Sequence, residues 1–251
     1  MNNKKYSIVK DSLDLRDKIF VPSVIKNLKD LPKLVDLRPL MSPIADQQSL
    51  GSCTSHGIVT GLREYLELRD NKVGFQRLSR LFLYYHERLL EGTVNEDSGA
   101  EIRDGMKVLQ QIGVPPEYLD PYIISHFKNK PSILAEKAAA KYKISKYYRV
   151  NTLNDMKLAL AEGLPVVIGI AVYDSFESDE VAKTGIVPMP NINTENLLGG
   201  HCMCISGFDD SKQWVITRNS WSTNWGDKGY CYLPYSFIID SNLTIDMWTG
   251  F

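Results

Sequence analysis

The chain lacks an excess of charge of either sign. Its 251 residues include 29 lysines and arginines against 30 aspartates and glutamates, which gives a formal net charge of −1 at neutral pH. The two signs are interspersed along the whole sequence, so no segment offers the basic surface that nucleic acids or other polyanions bind. We therefore expect no nucleic-acid partner.

Long apolar runs are also missing. No stretch is long enough to span a bilayer. The segment from Met1 to Lys10 carries positive charge, but it has none of the apolar core that a secretory signal needs. We therefore expect no membrane association, and a cytoplasmic location.

Cysteine is scarce, with four residues in the chain: Cys53, Cys202, Cys204 and Cys231. Cys202 and Cys204 alternate on a predicted strand, so their side chains share one face and are poorly placed to bond each other. Alternate residues of one strand rarely converge on one ion, and no Cys-x-x-Cys pair is present, so we expect no metal at His201, Cys202, Cys204 and Cys231. The sequence predicts a fold without disulfides, typical of a reducing compartment, and no cofactor.

The spacing of the apolar residues changes between the two halves of the chain. In the front half, apolar residues recur at three- and four-residue spacing and predict three helices, at about Ser52 to Arg69, Ser79 to Leu90, and Ala100 to Ile112. In the back half, one helix precedes several β-rich runs. These elements are the helix Thr152 to Glu162 and the strands Pro165 to Val172, His201 to Gly207, Trp214 to Arg218, and Gly229 to Leu233. The fold class predicted from this order is α+β.

Three separated motifs contain the residue types of a thiol hydrolase site. They are Gln47-Gln-Ser-Leu-Gly-Ser-Cys53, Gly200-His201, and Arg218-Asn219-Ser-Trp221. A cysteine at the start of a helix has its thiolate favoured by unpaired N–H groups and their partial positive charge. A histidine can take the thiol proton and later return one to a leaving group. Their joint presence favours a catalytic site over separate buried side chains.

In this order, the motifs resemble those of the papain and cathepsin family of cysteine peptidases. His201 follows Cys53 within the interval of roughly 130–150 residues that the family shows. The resemblance implies a two-lobe papain-like fold, with a helical left lobe, an antiparallel β-barrel-like right lobe and the active-site cleft between them. It divides the chain into an N-terminal arm, residues 1–33, and a peptidase domain, residues 34–251. The helical lobe would cover about 50–125, and the sheet lobe about 126–251 plus 34–48.

The resemblance also implies the catalytic roles. Cys53 would be the nucleophile and His201 the general base and acid. Asn219 would orient the His201 ring, and Trp221 would shield that hydrogen bond from water. Gln47 would donate a hydrogen bond to the oxyanion together with the backbone N–H of the nucleophile, each contributing about 3 kcal/mol to the barrier reduction.

Six residues are expected at the substrate cleft on the same grounds. Ser98 and Gly99 match the family segment that pairs with the substrate backbone. Gly169 and Cys202 are both small, so they would leave a pocket for a bulky apolar or aromatic side chain, unless Met247 or another C-terminal residue fills it. The full set is Ser98, Gly99, Gly169, Gly200, Cys202 and Trp221.

Several positions depart from the family pattern. Gly200 stands where an aspartate or asparagine usually precedes the catalytic histidine, and Leu50 replaces a cysteine that secreted members use in a disulfide. Thr54 replaces the tryptophan that follows the nucleophile, which would leave a roomier or more polar wall beside Cys53. The N-terminal arm lacks the spaced aromatic and charged residues of the family's long helical leader, which runs through the cleft opposite to substrate. The arm would partly occlude the cleft, or else pack on the back of the sheet lobe and add only stability.

The predicted function is therefore that of a cysteine endopeptidase, a monomer that acts on peptide or protein substrates through a Cys53 thioester. Two alternatives stay open at this point. One is a papain-fold acyltransferase or amidase, in which an amine other than water accepts the acyl group. The other is a catalytically silent peptide-binding protein on the same scaffold.

Overall fold

Helices form the front part of the molecule in a computed structural model that describes residues 4–24, 28–71 and 74–251. The central helix α1 begins at Cys53 and is continuous through an α-helical turn, a π-helical segment and a second α-helical segment, which are Cys53–Ser55, His56–Arg63 and Glu64–Asn71. Helix α2, Arg80–Glu91, starts at Ser79, whose hydroxyl accepts the Phe82 N–H, and ends at Gly92 in the left-handed conformation. Helix α3 covers Ile102–Gln111.

Within the described ranges, seven strands form one antiparallel sheet, and all of them except β1 come after these helices in the chain. They are β1 Leu34–Asp36, β2 Tyr147–Arg149, β3 Val166–Tyr173, β4 Leu197–Asp209, β5 Trp214–Arg218, β6 Tyr230–Pro234 and β7 Thr244–Gly250. The order across the sheet is β2-β7-β3-β4-β5-β6, and β1 pairs with the far end of β4. The resemblance predicts a barrel-like lobe, whereas the strands of the described residues form an open sheet.

Shorter helices cover the ends of the sheet. They are α4 Ile133–Ala139, α5 Leu153–Ala161, α6 Asp179–Thr184 and α7 Tyr235–Ile239, with 3-10 turns at Leu28–Asp30, Arg38–Leu40, Glu117–Leu119, Ile124–His126, Ala140–Tyr142 and Asp174–Glu177. Helix α5 begins after Thr152, whose hydroxyl accepts the Asp155 N–H. None of the helices in the described ranges is long and apolar enough to cross a membrane.

Two glycines bring the central helix close to strand β4. A Cβ atom at Gly61 would overlap the Cys204 side chain, and one at Gly57 would lie 3.1 Å from Cys202 Sγ. Helix and strand can therefore pack at a distance that no larger residue would allow. The contact places Cys53, the first residue of the helix, beside the part of β4 that carries His201.

An ionic cluster fixes the N-terminal arm to the sheet lobe. The Arg149 guanidinium pairs with three carboxylates, those of Asp11 at 3.0 Å, Asp17 at 3.1 Å and Asp246 at 2.6 Å. Arg103 of α3 adds a second ion pair to Asp17, at 2.9 Å. The arm is thus anchored just after it leaves the cleft.

Candidate active site

Cys53 lies at the first residue of α1 and is completely buried. The backbone N–H of Cys202 is directed at its sulfur, which puts the thiol next to the His201 segment of β4. Burial raises the pKa of the Cys53 thiol to about 12, although the Cys202 N–H opposes the rise. The thiol is therefore neutral in the arrangement that the structure describes.

His201 is held on β4 by Asn219, at the end of β5. Its Nε2–H donates to Asn219 Oδ1 at 2.8 Å, and the Trp221 ring stacks on the imidazole with 4.9 Å between centroids. The other ring nitrogen, Nδ1, is buried and has no hydrogen-bond partner among the described residues. Burial lowers the pKa of His201 to about 4, against the hydrogen bond that the ring donates to Asn219 and with a further lowering by the Lys4 charge. This leaves a neutral ring with a free lone pair.

The Gln47 amide is fixed by its neighbours rather than mobile. Its Nε2 donates to Leu50 O at 3.0 Å, and its Oε1 accepts the Ser220 hydroxyl at 2.6 Å. The Gln47 backbone N–H also donates to Ser220 O at 2.9 Å, which ties this loop to the Asn219 segment. An amide nitrogen carries two hydrogens, so one remains available to an oxyanion.

Tyr122 supports the nucleophile loop, and sequence analysis does not identify it. Its hydroxyl donates to Gln47 O at 2.9 Å and lies 2.7 Å from Ser52 Oγ. The ring packs edge-on against His56, with 5.0 Å between centroids. Tyr122 follows a proline in a segment without helical or strand periodicity, so no local signal marks this role.

Thr54 does not line the cleft, in contrast to the expectation from the sequence. It is fully buried on the opposite side of α1, where its hydroxyl donates to Glu87 Oε2 at 2.8 Å. Burial raises the pKa of Glu87 well above its usual range, against the hydrogen bond from Thr54. The helix direction explains the difference, because the residue after Cys53 points toward α2 and not toward solvent.

Residues 4–9 of the N-terminal arm lie extended in the cleft between the two lobes. The Ile8 N–H donates to Gly200 O and the Val9 N–H to Ala100 O, both at 3.2 Å. The bridges from Ser7 to Gly200 and from Val9 to Glu101 are both parallel. The arm therefore pairs through its backbone with the sheet lobe on one side and the helical lobe on the other.

The arm covers the catalytic pair. The Tyr6 ring lies 6.0 Å from the His201 ring and 6.1 Å from Trp221, edge-on to both. The Lys4 ammonium lies 3.5 Å from the centroid of Trp221. With the arm in place, Cys53 and His201 have no solvent-exposed surface.

Gly169 and Gly200 line a pocket that the arm fills with Ile8. A Cβ atom at Gly169 would lie 2.7 Å from Ile8, and one at Gly200 would overlap it. Ile102 and Ile245 close the pocket, each 3.4 Å from the same added atom at Gly169.

Two further residues that the sequence predicts at this pocket lie elsewhere. Cys202 is 1 % exposed and its sulfur faces Gly57 of the central helix, because α1 packs on this face of β4 from Cys202 onward. Met247 is buried in the sheet opposite Ile168 on β3. The C-terminal stretch does contribute a pocket residue, but it is Ile245.

Ser98 and Gly99 lie where the arm backbone crosses the helical wall. Gly99 has a φ of +75°, and any Cβ there would overlap the Ser7 carbonyl. A glycine is therefore required for a chain to approach this wall. The Ser98 hydroxyl donates to Thr93 Oγ1 at 2.8 Å, within its own loop, and so shapes the wall.

All four cysteines are described and are free buried thiols. Cys231 Sγ lies 3.9 Å from Met203 Sδ, apart from Cys202 and Cys204, which face α1. Across residues 4–24, 28–71 and 74–251, no three His, Cys, Asp or Glu side chains are grouped closely enough to hold a metal ion.

Comparison with known proteins agrees with this geometry. The model of the papain family cysteine proteases matches residues 31–238. An uncharacterised peptidase C1-like protein of Acanthamoeba polyphaga mimivirus is 40% identical over 236 residues, which cover 90% of this chain and 75% of the relative. Peptidase 1 of Psoroptes ovis is 30% identical over 226 residues, which cover 85% of this chain and 63% of the relative.

Solved structures show the same fold. Xylellain, a cysteine protease from Xylella fastidiosa, superposes with a TM-score of 0.92 at 35% identity, over 99% of this chain and 96% of its own. Bromelain from Ananas comosus superposes with a TM-score of 0.69 at 18% identity, over 88% of this chain and 99% of its own. This similarity is evidence for the fold alone. These matches confirm three predictions from the sequence: the resemblance to the papain family, the α+β papain-like fold class and the enzyme class. The chain belongs to the papain family of cysteine proteases.

Proposed function

We propose that this protease is an endopeptidase that cleaves peptide bonds through a Cys53 thioester and is latent while its N-terminal arm occupies the cleft. The observation that supports this best is the arm itself. Residues 4–9 lie extended between Gly99 and Gly200 and are held by backbone hydrogen bonds to both walls. A cleft with this shape accepts a continuous polypeptide on both sides of the nucleophile.

In the proposed mechanism, Nδ1 of His201 takes the Cys53 proton and the sulfur attacks the scissile carbonyl carbon. The negative oxygen of the tetrahedral intermediate accepts hydrogen bonds from Gln47 Nε2–H and the Cys53 backbone N–H. His201 then protonates the leaving amine, and the C–N bond breaks to give the thioester. Water, deprotonated by His201, hydrolyses the thioester and restores the thiol.

Latency follows from the exclusion of water. Between the raised pKa of Cys53, about 12, and the lowered pKa of His201, about 4, thiol and imidazole are both neutral. Displacement or cleavage of the arm hydrates the pair and permits the thiolate–imidazolium form. We further expect a cytoplasmic monomer that acts on peptide or protein substrates, in keeping with four free thiols.

The test uses Ile8→Asp in the full chain, because a carboxylate is disfavoured in the pocket of Gly169, Ile102 and Ile245. We expect Cys53 alkylation by an epoxide thiol trap, followed by intact mass, to accelerate about tenfold or more, together with hydrolysis of a peptide amide. Leu15→Asp is the matched control, since Leu15 lies on the same arm and is 93% exposed. Cys53→Ala should abolish both signals.

Three results would contradict the proposal. A folded Ile8→Asp protein with unchanged or lower rates would make the arm a structural support only. Alkylation without cleavage of any peptide would indicate a silent binding protein. Products that carry an added amine in place of a free acid would indicate a transferase.

A further inference from the structure

Asp97 binds the second lysine of the arm at the helical wall of the cleft. Lys5 Nζ lies 2.5 Å from Asp97 Oδ2. With the arm in place, the Asp97 side chain is only 10% exposed and the Lys5 side chain is half exposed, so the ammonium covers the carboxylate from the cleft side. A cation thus already occupies this site.

The carboxylate is held in place by neutral donors. The Gly51 N–H donates to both of its oxygens, at 2.9 and 3.2 Å, and the Tyr84 hydroxyl donates to Oδ1 at 2.6 Å. Tyr84 also accepts the Gly99 N–H at 3.1 Å, so Asp97 is connected to both segments of the wall. These bonds orient Oδ2 toward the cleft.

The negative charge of Asp97 has no fixed cation as its partner. Among the residues that the structure describes, Lys5 is the only cation within ion-pair distance of Asp97. The guanidinium of Arg88 donates instead to backbone carbonyls, including those of Val94 and Glu96. Without the arm, the Oδ2 atom of this carboxylate would face the cleft without a cation, and a basic side chain would be its best partner.

The position of Asp97 identifies which substrate residue it meets. Gly51, its hydrogen-bond donor, belongs to the turn that leads into Cys53, and Tyr6, the residue after Lys5 in the arm, packs edge-on against His201. A side chain that reaches Asp97 therefore belongs to a residue next to the scissile bond. The Ser98–Gly99 segment, which is expected to pair with the substrate backbone, follows Asp97 directly in the chain, and we take this wall to bind the acyl side of the substrate.

We infer that Asp97 is a specificity-determining residue that selects lysine or arginine as the residue whose carbonyl is attacked, with Lys5 occupying its site in the latent form. The inference rests on the proposed function. A neutral side chain at this point would leave the carboxylate desolvated without a cation, and an acidic one would be repelled.

The experiment measures kcat/KM for internally quenched peptides that differ only at the residue on the acyl side of the bond. The enzyme is the full chain carrying Ile8→Asp, and the residues compared are lysine with norleucine, and arginine with citrulline. We expect each basic peptide to exceed its neutral isostere by at least about tenfold. Asp97→Asn keeps a carbonyl oxygen for Gly51 and should bring both ratios near one, mainly through slower cleavage of the basic peptides.

Glu177→Gln is the control, because Glu177 is an acidic residue near Lys4 on the opposite wall and should not alter these ratios. A ratio near one in the parent, or equal losses on lysine and norleucine peptides in Asp97→Asn, would overturn the inference while hydrolysis persists. Alkylation of Cys53 by the matching peptidyl chloromethyl ketones provides a second readout with the same expected ratios. Failure of every peptide and every ketone to react would overturn the proposed function, and the inference with it.

Discussion

The oxygen of a single amide determines the tautomer of the catalytic histidine. Asn219 Oδ1 accepts two hydrogen bonds, from His201 Nε2–H and from the Ser220 N–H at 2.8 Å. The amide cannot turn without losing both, so the ring proton stays on Nε2 and the Nδ1 lone pair faces the nucleophile side. Trp221 excludes water from this bond and strengthens it.

Removal of this acceptor should slow catalysis less than removal of the nucleophile. We expect Cys53→Ala or His201→Ala to lower kcat by about four to six orders of magnitude, and Asn219→Ala by about two orders less, because Asn219 only orients the ring. Asn219→Asp keeps an oxygen acceptor and should retain more activity than Asn219→Ala. Steady-state kinetics on one peptide amide measure these differences, and circular dichroism shows whether each variant is folded. An Asn219→Ala enzyme as inactive as Cys53→Ala would contradict the orienting role.

At the scale of elements, the approach of α1 to β4 depends on the absence of one side chain. We expect Gly61→Ala to lower the free energy of unfolding by about 1–3 kcal/mol, since the new methyl group overlaps Cys204. Gly74→Ala is the matched control, because an added Cβ there meets nothing within 4 Å. Urea unfolding of both variants provides the measurement. Equal stability of the two would show that the helix can shift away from β4 at no cost.

The sequence predicts the helices and strands whose apolar residues follow a regular spacing, and it misses those without such a pattern. The helices α1, α2, α3 and α5 lie close to their predicted bounds because their apolar residues recur at three- and four-residue spacing. Strand β7 is missed, since it is buried on both faces from Asp246 onward and shows no alternation. Helix α4 is missed because Ile133 and Leu134 are exposed, so its apolar residues do not mark a core face.

The anchor of the arm should give the protein a pH-dependent stability. Burial, together with the Asp246 charge, raises the pKa of Asp11 to about 6. A group with a raised pKa in the folded state stabilises fully below its unfolded pKa, and this contribution is lost as the pH rises through the folded value. The stability that Asp11 contributes should therefore decline between pH values of about 4 and 6.

Asp11→Asn removes this titratable carboxyl, so the difference in stability between wild type and variant reports the contribution of Asp11 alone. From a pH of about 4 to about 7, the free energy of unfolding of the wild type should fall relative to Asp11→Asn by up to about 3 kcal/mol. Urea unfolding at several pH values measures the difference. A difference that stays constant, or that moves in favour of the wild type as the pH rises, would contradict the prediction.

At the scale of the whole molecule, the arm joins the two lobes. Lys5 pairs with the helical wall, whereas Ile8 and Asp11 are held by the sheet lobe. The sequence motifs identify Cys53 and His201 as candidates, since such residues stand in recognisable local patterns. The family resemblance also places Gly169 and Gly200 at the pocket that Ile8 fills. Asp97, Ile102 and Ile245 are not identified, because their contacts join residues that are distant in the chain and carry no local signal.

Activation should therefore reduce stability. We expect Ile8→Asp to lower the free energy of unfolding by about 1–3 kcal/mol while it raises peptidase activity, because the same contacts inhibit and stabilise. Leu15→Asp should change neither quantity. Thermal unfolding and peptide hydrolysis, measured on the same preparations, provide the test. A gain of activity at unchanged stability would show that the arm inhibits without joining the lobes.

The anchor at Asp11 also determines how the arm competes with a substrate. Asp11 holds the chain a few residues beyond Ile8, so an arm that leaves the cleft stays tethered beside it at an effective concentration in the millimolar range. A substrate then binds only the open fraction, and its apparent affinity falls by that fraction. As long as the arm has not been cleaved, its competition with the substrate raises KM and leaves kcat unchanged. A sufficiently concentrated protein substrate would then act as the activator of its own hydrolysis.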